Sequence, residues 1–203
     1  MINDIDDKRI IDIFNCYYLP SFNPLVDRGE LRPSLCRNVE LLDVLLSDSC
    51  PSVLVDLLCQ EITYTLPCDI QISSKIIHIL TKSWLQGDID TEWFHKTFEK
   101  LNREQLMTIF SARDWQNRVA AHIAALEQSY TFFDKMESLL DKNQFKKICK
   151  TPDIAGKTPM HNFSDINCEK LNILLDKVYD GNAKEHFVSR LDLLDKNYQQ
   201  RNK

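Results

Sequence analysis

Residues Asp153 to His161 read D-I-A-G-K-T-P-M-H, inside the longer stretch KTPDIAGKTPMHNFSD from Lys150 to Asp165. The chain holds only four glycines and seven prolines, yet Pro152, Gly156 and Pro159 fall within eight residues. Gly156 supplies the positive φ that a tight turn needs at its tip. Thr158 is placed to cap a helix by accepting a backbone N–H, and Pro159 suits the first helical position, where its missing donor costs nothing. The stretch therefore predicts a tight turn followed at once by a helix start.

The same pattern occurs once before. Sliding Leu101–His122 by 39 residues onto Leu140–His161 aligns Leu101 with Leu140, Gln105 with Gln144, Ile109 with Ile148, Asp114 with Asp153 and His122 with His161. Arg103 falls over Lys142, Leu106 over Phe145 and Arg118 over Lys157, and Asn117 stands in the place of Gly156. Asparagine is the next best residue at a left-handed position. A looser echo follows, with MESLLDK (Met136 to Lys142) returning as LNILLDK (Leu171 to Lys177) at an offset of 35. The second unit is therefore four residues shorter between its two later helices.

The second copy resembles the ankyrin repeat signature, which runs Asp, two residues, Gly, one residue, Thr-Pro-Leu-His, with Met160 here in the Leu place. The first copy, DWQNRVAAHIAA (Asp114 to Ala125), keeps Asp, His and the following Ile-Ala-Ala but lacks Thr-Pro. The resemblance covers about 101–178. Each unit carries an additional helix before the turn (REQLMTIF, KNQFKKIC), giving 39 residues where about 33 is usual. Units of this length look like the divergent ankyrin repeats in effector proteins of intracellular bacteria such as Legionella and Coxiella. The resemblance implies a repeat signature built from Asp114, His122, Asp153, Gly156, Thr158, Pro159 and His161. It also implies partner contacts from the loop tips, which are Trp115, Gln116, Asn117 and Arg118 in the first copy and Ile154, Ala155 and Lys157 in the second. His122 and His161, one turn into their helices, have a ring nitrogen each for a neighbouring unit's loop backbone.

Elsewhere apolar residues recur at three- and four-residue spacing, which predicts an all-α chain with few strands. Helices are expected near 4–17, 38–48, 51–63, 73–86, 91–101, 103–111, 119–127, 131–141, 142–150, 159–165, 168–179 and 182–198. Asn38, Asp90 or Thr91, and Asn102 are the expected caps. The segment 18–37, with three prolines and a glycine, reads as an irregular connection. The expected organisation is a helical region over 1–90 packed on the repeats, ankyrin-like repeats over 91–181, and a capping helix and tail over 182–203. The three form one continuous α-solenoid. CDIQISSKIIH (Cys68 to His78) hints at a further decayed repeat within the first region.

The chain has 203 residues, with 25 Lys and Arg against 30 Asp and Glu, a net charge of −5. Its cations are scattered, the densest patch being Lys146, Lys147 and Lys150. Nucleic acid is therefore not an expected partner, since phosphate binding needs clustered cations. No apolar run approaches the roughly 18 residues of a membrane helix, so no membrane insertion is expected. The acidic start MINDIDDKRIIDIF is unlike a secretory leader. Seven dispersed cysteines, Cys50, Cys59 and Cys68 among them, suit reduced thiols in the cytosol and lack metal-ligand spacing.

No chemistry-bearing motif stands out. Four unclustered glycines build no phosphate loop. His161 and Cys168 are seven apart, a base and nucleophile only if the fold joins them. EWFH (Glu92 to His95) has the Glu-x-x-His spacing of helical di-iron proteins but no second copy. No catalytic residue, metal or cofactor is expected. The chain reads as a protein-binding module, a translocated effector that docks a host protein. The alternative is an adaptor or chaperone subunit of a secretion complex inside the bacterium. An enzyme with a site in 1–90 is the third reading, and its mark would be a deep polar pocket holding His78 or Cys59 beside a carboxylate.

Overall fold

A computed structural model describes residues 51–65, 71–85, 96–164 and 168–181. The helices expected at 4–17, 38–48 and 182–198, the caps at Asn38 and Asp90 or Thr91, the connection 18–37 and the EWFH stretch lie outside these residues. The described chain is mostly helical. In order it runs α1 (Pro51–Cys59), β1 (Glu61–Thr65), β2 (Gln71–Lys75), α2 (Ile76–Leu85), a helical turn at 96–98, α3 (Arg103–Ser111), α4 (Ala120–Leu126), α5 (Tyr130–Leu139), α6 (Lys142–Cys149), a 3-10 turn (Pro159–Asn162) and α7 (Glu169–Tyr179).

The local chemistry explains most of these boundaries. Asn102 caps α3 by accepting the Gln105 N–H at 2.9 Å, and the Gln105 side chain returns to the Asn102 N–H at 3.0 Å. Asp141 and Gln144 repeat this reciprocal box at the start of α6, at 2.9 and 3.2 Å. Each box satisfies donors that a helix N-terminus otherwise leaves without a partner. Ser129 caps α5 through the Phe132 N–H at 3.4 Å. The aligned pairs of the sequence thus hold the same structural places.

Two expectations are corrected. The helices expected over 51–63 and 73–86 are interrupted, because 61–65 and 71–75 form an antiparallel pair in which Glu61 faces Lys75 and Thr65 faces Gln71. EITYT is rich in β-branched and aromatic residues, which favour a pleated surface, and five residues are too few to show a clear period of two. The helix expected over 159–165 is only the 3-10 turn at Pro159–Asn162. Gln128 accounts for its early end: the side-chain amide donates to the Asn162 carbonyl at 3.4 Å, and its oxygen accepts the Ser164 N–H at 3.1 Å.

The helices pack in two rows. In one, α1 lies against α3 and α3 against α6; in the other, α2 lies against α4 and α4 against the 3-10 turn. α5 packs on α4, and α7 on α6. The core between them is aromatic, and rings from distant parts of the chain meet in it. Trp84 lies 5.9 Å from Phe132, Phe98 lies 5.3 Å from Phe110, Phe110 meets Phe132 edge-on at 6.1 Å, and Phe133 lies 5.6 Å from Phe163. Such pairs add specific geometry to the burial of large apolar surface. Among the described residues, no helix is long and apolar enough to cross a membrane.

Candidate functional site

The two aligned turns have the same hydrogen-bond wiring. In the first, the Asp114 N–H donates to the Arg118 carbonyl at 3.0 Å and the Asn117 N–H to the Asp114 carbonyl at 2.9 Å. One Asp114 carboxylate oxygen accepts the Gln116 and Arg118 N–H groups at 2.9 and 2.8 Å. In the second, Asp153 N–H donates to the Lys157 carbonyl at 2.8 Å and Gly156 N–H to the Asp153 carbonyl at 3.0 Å. The Asp153 carboxylate accepts Ala155 and Lys157 N–H, both at 2.8 Å. Asn117 and Gly156 sit at φ 58° and 77°, the left-handed region expected of that position.

The turns are also joined to one another along a line. Trp115 N–H donates to the Ser73 carbonyl of β2 at 3.0 Å, and Ile154 N–H donates to the Gln116 carbonyl at 2.8 Å. Arg113 adds a side-chain tie, its guanidinium reaching the Pro152 carbonyl at 3.2 Å. The row therefore runs from the hairpin through Asp114–Arg118 to Asp153–Lys157. Two large apolar side chains stand out from it, Trp115 at 49% and Ile154 at 71% exposure. A backbone bond to the preceding element holds each of them, Trp115 to Ser73 and Ile154 to Gln116, so they are presented at little further entropic cost.

The remaining tip residues divide. Asn117, Ala155 and Lys157 are exposed, and Gln116 is half-buried with its carbonyl spent on Ile154. Arg118 is half-buried. Its guanidinium folds back on Asp114, Nε donating at 2.8 Å and Nη2 lying 2.7 Å from the same carboxylate oxygen. The Asp114 side chain is 1% exposed, so this pair organises the turn from beneath. Lys157 makes no equivalent pair among the described residues.

His122 does what the sequence anticipated. Its Nε2 lies 3.0 Å from the Lys157 carbonyl of the next turn, and its Nδ1 accepts the Val119 N–H at 3.1 Å. An acceptor at Nδ1 fixes the proton on Nε2, which donates to the carbonyl. Burial pushes the pKa of His122 down, against the Lys157 carbonyl bond and the Asp153 carboxylate, which raise it. His161 caps in the same manner, taking the Thr158 N–H at 3.1 Å. The Thr158 hydroxyl lies 2.8 Å from that same Nδ1, where it donates. It does not make the backbone cap expected of it, because the histidine already serves as the local acceptor. Cys168 holds the N-cap position of α7.

Sequence spacing missed three participants. His78 is the counterpart of His122 and His161, its Nδ1 accepting the Lys75 N–H at 3.2 Å. Its only early signal was the hint of a decayed repeat ending at that histidine. Arg113 and Gln128 bond backbone carbonyls 39 and 34 residues away, which no local pattern discloses. His78 is 3% exposed and sits beside the Asp114 carboxylate, which Arg118 already occupies. Of the mark set for the enzyme reading, a deep polar pocket holding His78 or Cys59 beside a carboxylate, the carboxylate neighbour of His78 is present. The side chains of Lys146 on α6 and of Lys150 just after it are engaged, Lys146 with Asp180 and Lys150 over the Tyr179 ring at 5.1 Å. A separate groove of about 240 Å³ lies between α5 and α7, lined by Tyr130, Phe133, Asp134, Lys170, Ile173 and Lys177. Comparison of the chain with protein-family models, curated proteins and solved structures found no significant match.

Proposed function

We propose that the chain is a protein-binding module, a stack of ankyrin-like helical units that grips its partner with the row of turns. The observation that carries this reading is the pair Trp115 and Ile154, apolar side chains held outward on turns whose backbones are hydrogen-bonded into a line. Tryptophan is among the residues enriched at interface hot spots, and a row of rigid tips suits an extended protein surface. Unlike an enzyme's site, the row needs no titrating group at its surface. Asp114, the buried carboxylate there, is consumed in making the turn.

The wiring assigns the variants for the test. Arg118 is unsuitable, because replacing it would disturb Asp114 and the turn itself. Trp115→Ala combined with Ile154→Asp removes both exposed anchors while leaving every backbone bond of the row in place. Quantitative capture from host-cell and bacterial lysates, with Lys147→Glu as a control on exposed α6, should give proteins retained by the control and depleted at least tenfold by the double variant. A partner from the host lysate supports a translocated effector, and one from bacterial secretion machinery supports an adaptor. Equal retention by the double variant would remove the tip row as the interface.

A further inference from the structure

Three histidines occupy one structural role. His78, His122 and His161 each stand at the third residue of a helical segment and accept the N–H of its capping residue through Nδ1, at 3.2, 3.1 and 3.1 Å. α3 and α6 solve the same problem with a glutamine, Gln105 and Gln144. The choice of residue differs between the rows: glutamine caps α3 and α6 in one, and histidine caps α2, α4 and the 3-10 turn in the other. Only in the second row does the ring have a further duty, seen in the His122 bond to the Lys157 carbonyl. His78 faces the corresponding turn of its neighbour, where the Ala112 and Arg118 backbone groups favour its protonated ring.

We propose that His78 and His122 are proton-sensitive couplers: the neutral rings hold successive units together, and because neither can take a second proton at Nδ1 without losing its cap, acid favours the opened joint in which the ring is protonated. On the reading that the tip row is the binding surface, opening those joints would release what the tips hold. The geometry leaves no alternative acceptor. Nε2 already carries the ring's proton, so the second proton must enter at Nδ1, 3.1–3.2 Å from an amide nitrogen that then has no partner.

The groups nearby that favour the added charge are outweighed by burial. The charged groups that face His78 are Asp114 and Arg118 of the neighbouring turn, and Arg118 is paired with Asp114, so the attraction is opposed. Those that face His122 are Asp153, Arg118 and Asp114, the first from the following turn. Burial outweighs them: it holds His78 down at about 4 and moves His122 in the same direction. A depressed folded-state pKa means that stability is complete above the unfolded value near 6.5 and drains away as pH falls toward 4. From His78 alone, the folding equilibrium constant should drop about twentyfold between pH 7 and pH 5.

The test uses the full chain. His78→Gln and His122→Gln keep an acceptor of the kind Gln105 and Gln144 provide but cannot titrate in this range. Denaturant unfolding from pH 7 to pH 5 should show the wild-type decline, with a flatter curve for each variant and the flattest for the double variant. Long-range nitrogen–proton NMR of the wild-type imidazoles should find both as the Nε2–H tautomer, with His78 neutral at pH 5. That measurement decides the matter even where a variant fails to fold. Parallel pH curves for wild type and the double variant, or a folded-state His78 midpoint near 6.5, would overturn the proposal.

Discussion

At the scale of single residues, the two turns are an internal experiment in which the same backbone is built from different side chains. Gly156 has open space around its missing Cβ, so only its φ of 77° resists substitution. Gly156→Ala should cost about 1 kcal/mol from left-handed strain, while Gly156→Asn, which copies Asn117, should stay within about 0.5 kcal/mol of wild type. Chemical denaturation of the two variants separates strain from lost space. The aspartates differ more. Asp114→Ala removes two backbone acceptor bonds and strands the half-buried Arg118 guanidinium, a loss of about 3 kcal/mol. Asp153→Ala loses two solvent-exposed backbone bonds and no ion pair, about 1 kcal/mol. Equal costs in the two turns would contradict the role assigned to the Asp114–Arg118 pair.

Helices and strands are joined by apolar contact more than by their own propensity. α4 has seven residues and the 3-10 turn four, both too short to persist alone; the two pack on each other, and α4 is also held by α2 and α5. Phe132 is the pivot, fully buried and in ring contact with Trp84, Phe110 and Phe133. Phe132→Ala should cost about 3–5 kcal/mol. Its effect should reach α2 as strongly as α5, because Trp84 loses a packing face. Hydrogen exchange resolved by segment would show this; faster exchange confined to α5 would show that the helices are not coupled through the rings. The same reliance on neighbours explains which elements the sequence disclosed. The periodicity of REQLMTIFS and KNQFKKIC, with their caps, was readable because one segment contained the whole signal. The hairpin was not, since five residues per strand carry too little alternation. The 3-10 turn stopped short because of Gln128, a residue more than thirty positions away.

Across the whole molecule, the repeat of 39 residues was the legible feature, and it located the turns, the paired histidines and the exposed tips Trp115 and Ile154. What escaped was the third histidine and the side chains that tie turn to turn. The spacing from His78 to His122 is 44 residues, and an inserted hairpin replaces the short turn between α1 and α2, so the simple slide loses register there. The pairing of Arg118 with Asp114 was not legible, because the alignment with Lys157 shows only a second cation, whereas in the fold the aspartate four residues before Arg118 draws its guanidinium back. The central claim is that the row of turns, and not the groove between α5 and α7, holds a protein partner. A photocrosslinking amino acid placed singly at Ile154 and at Ile173 tests it most directly, since both positions are exposed and lie on the two competing surfaces. Position 154 should yield a discrete protein adduct that unlabelled wild-type chain suppresses, while position 173 yields none that competes. Competable adducts from 173 alone would place the interface in the groove and contradict the account.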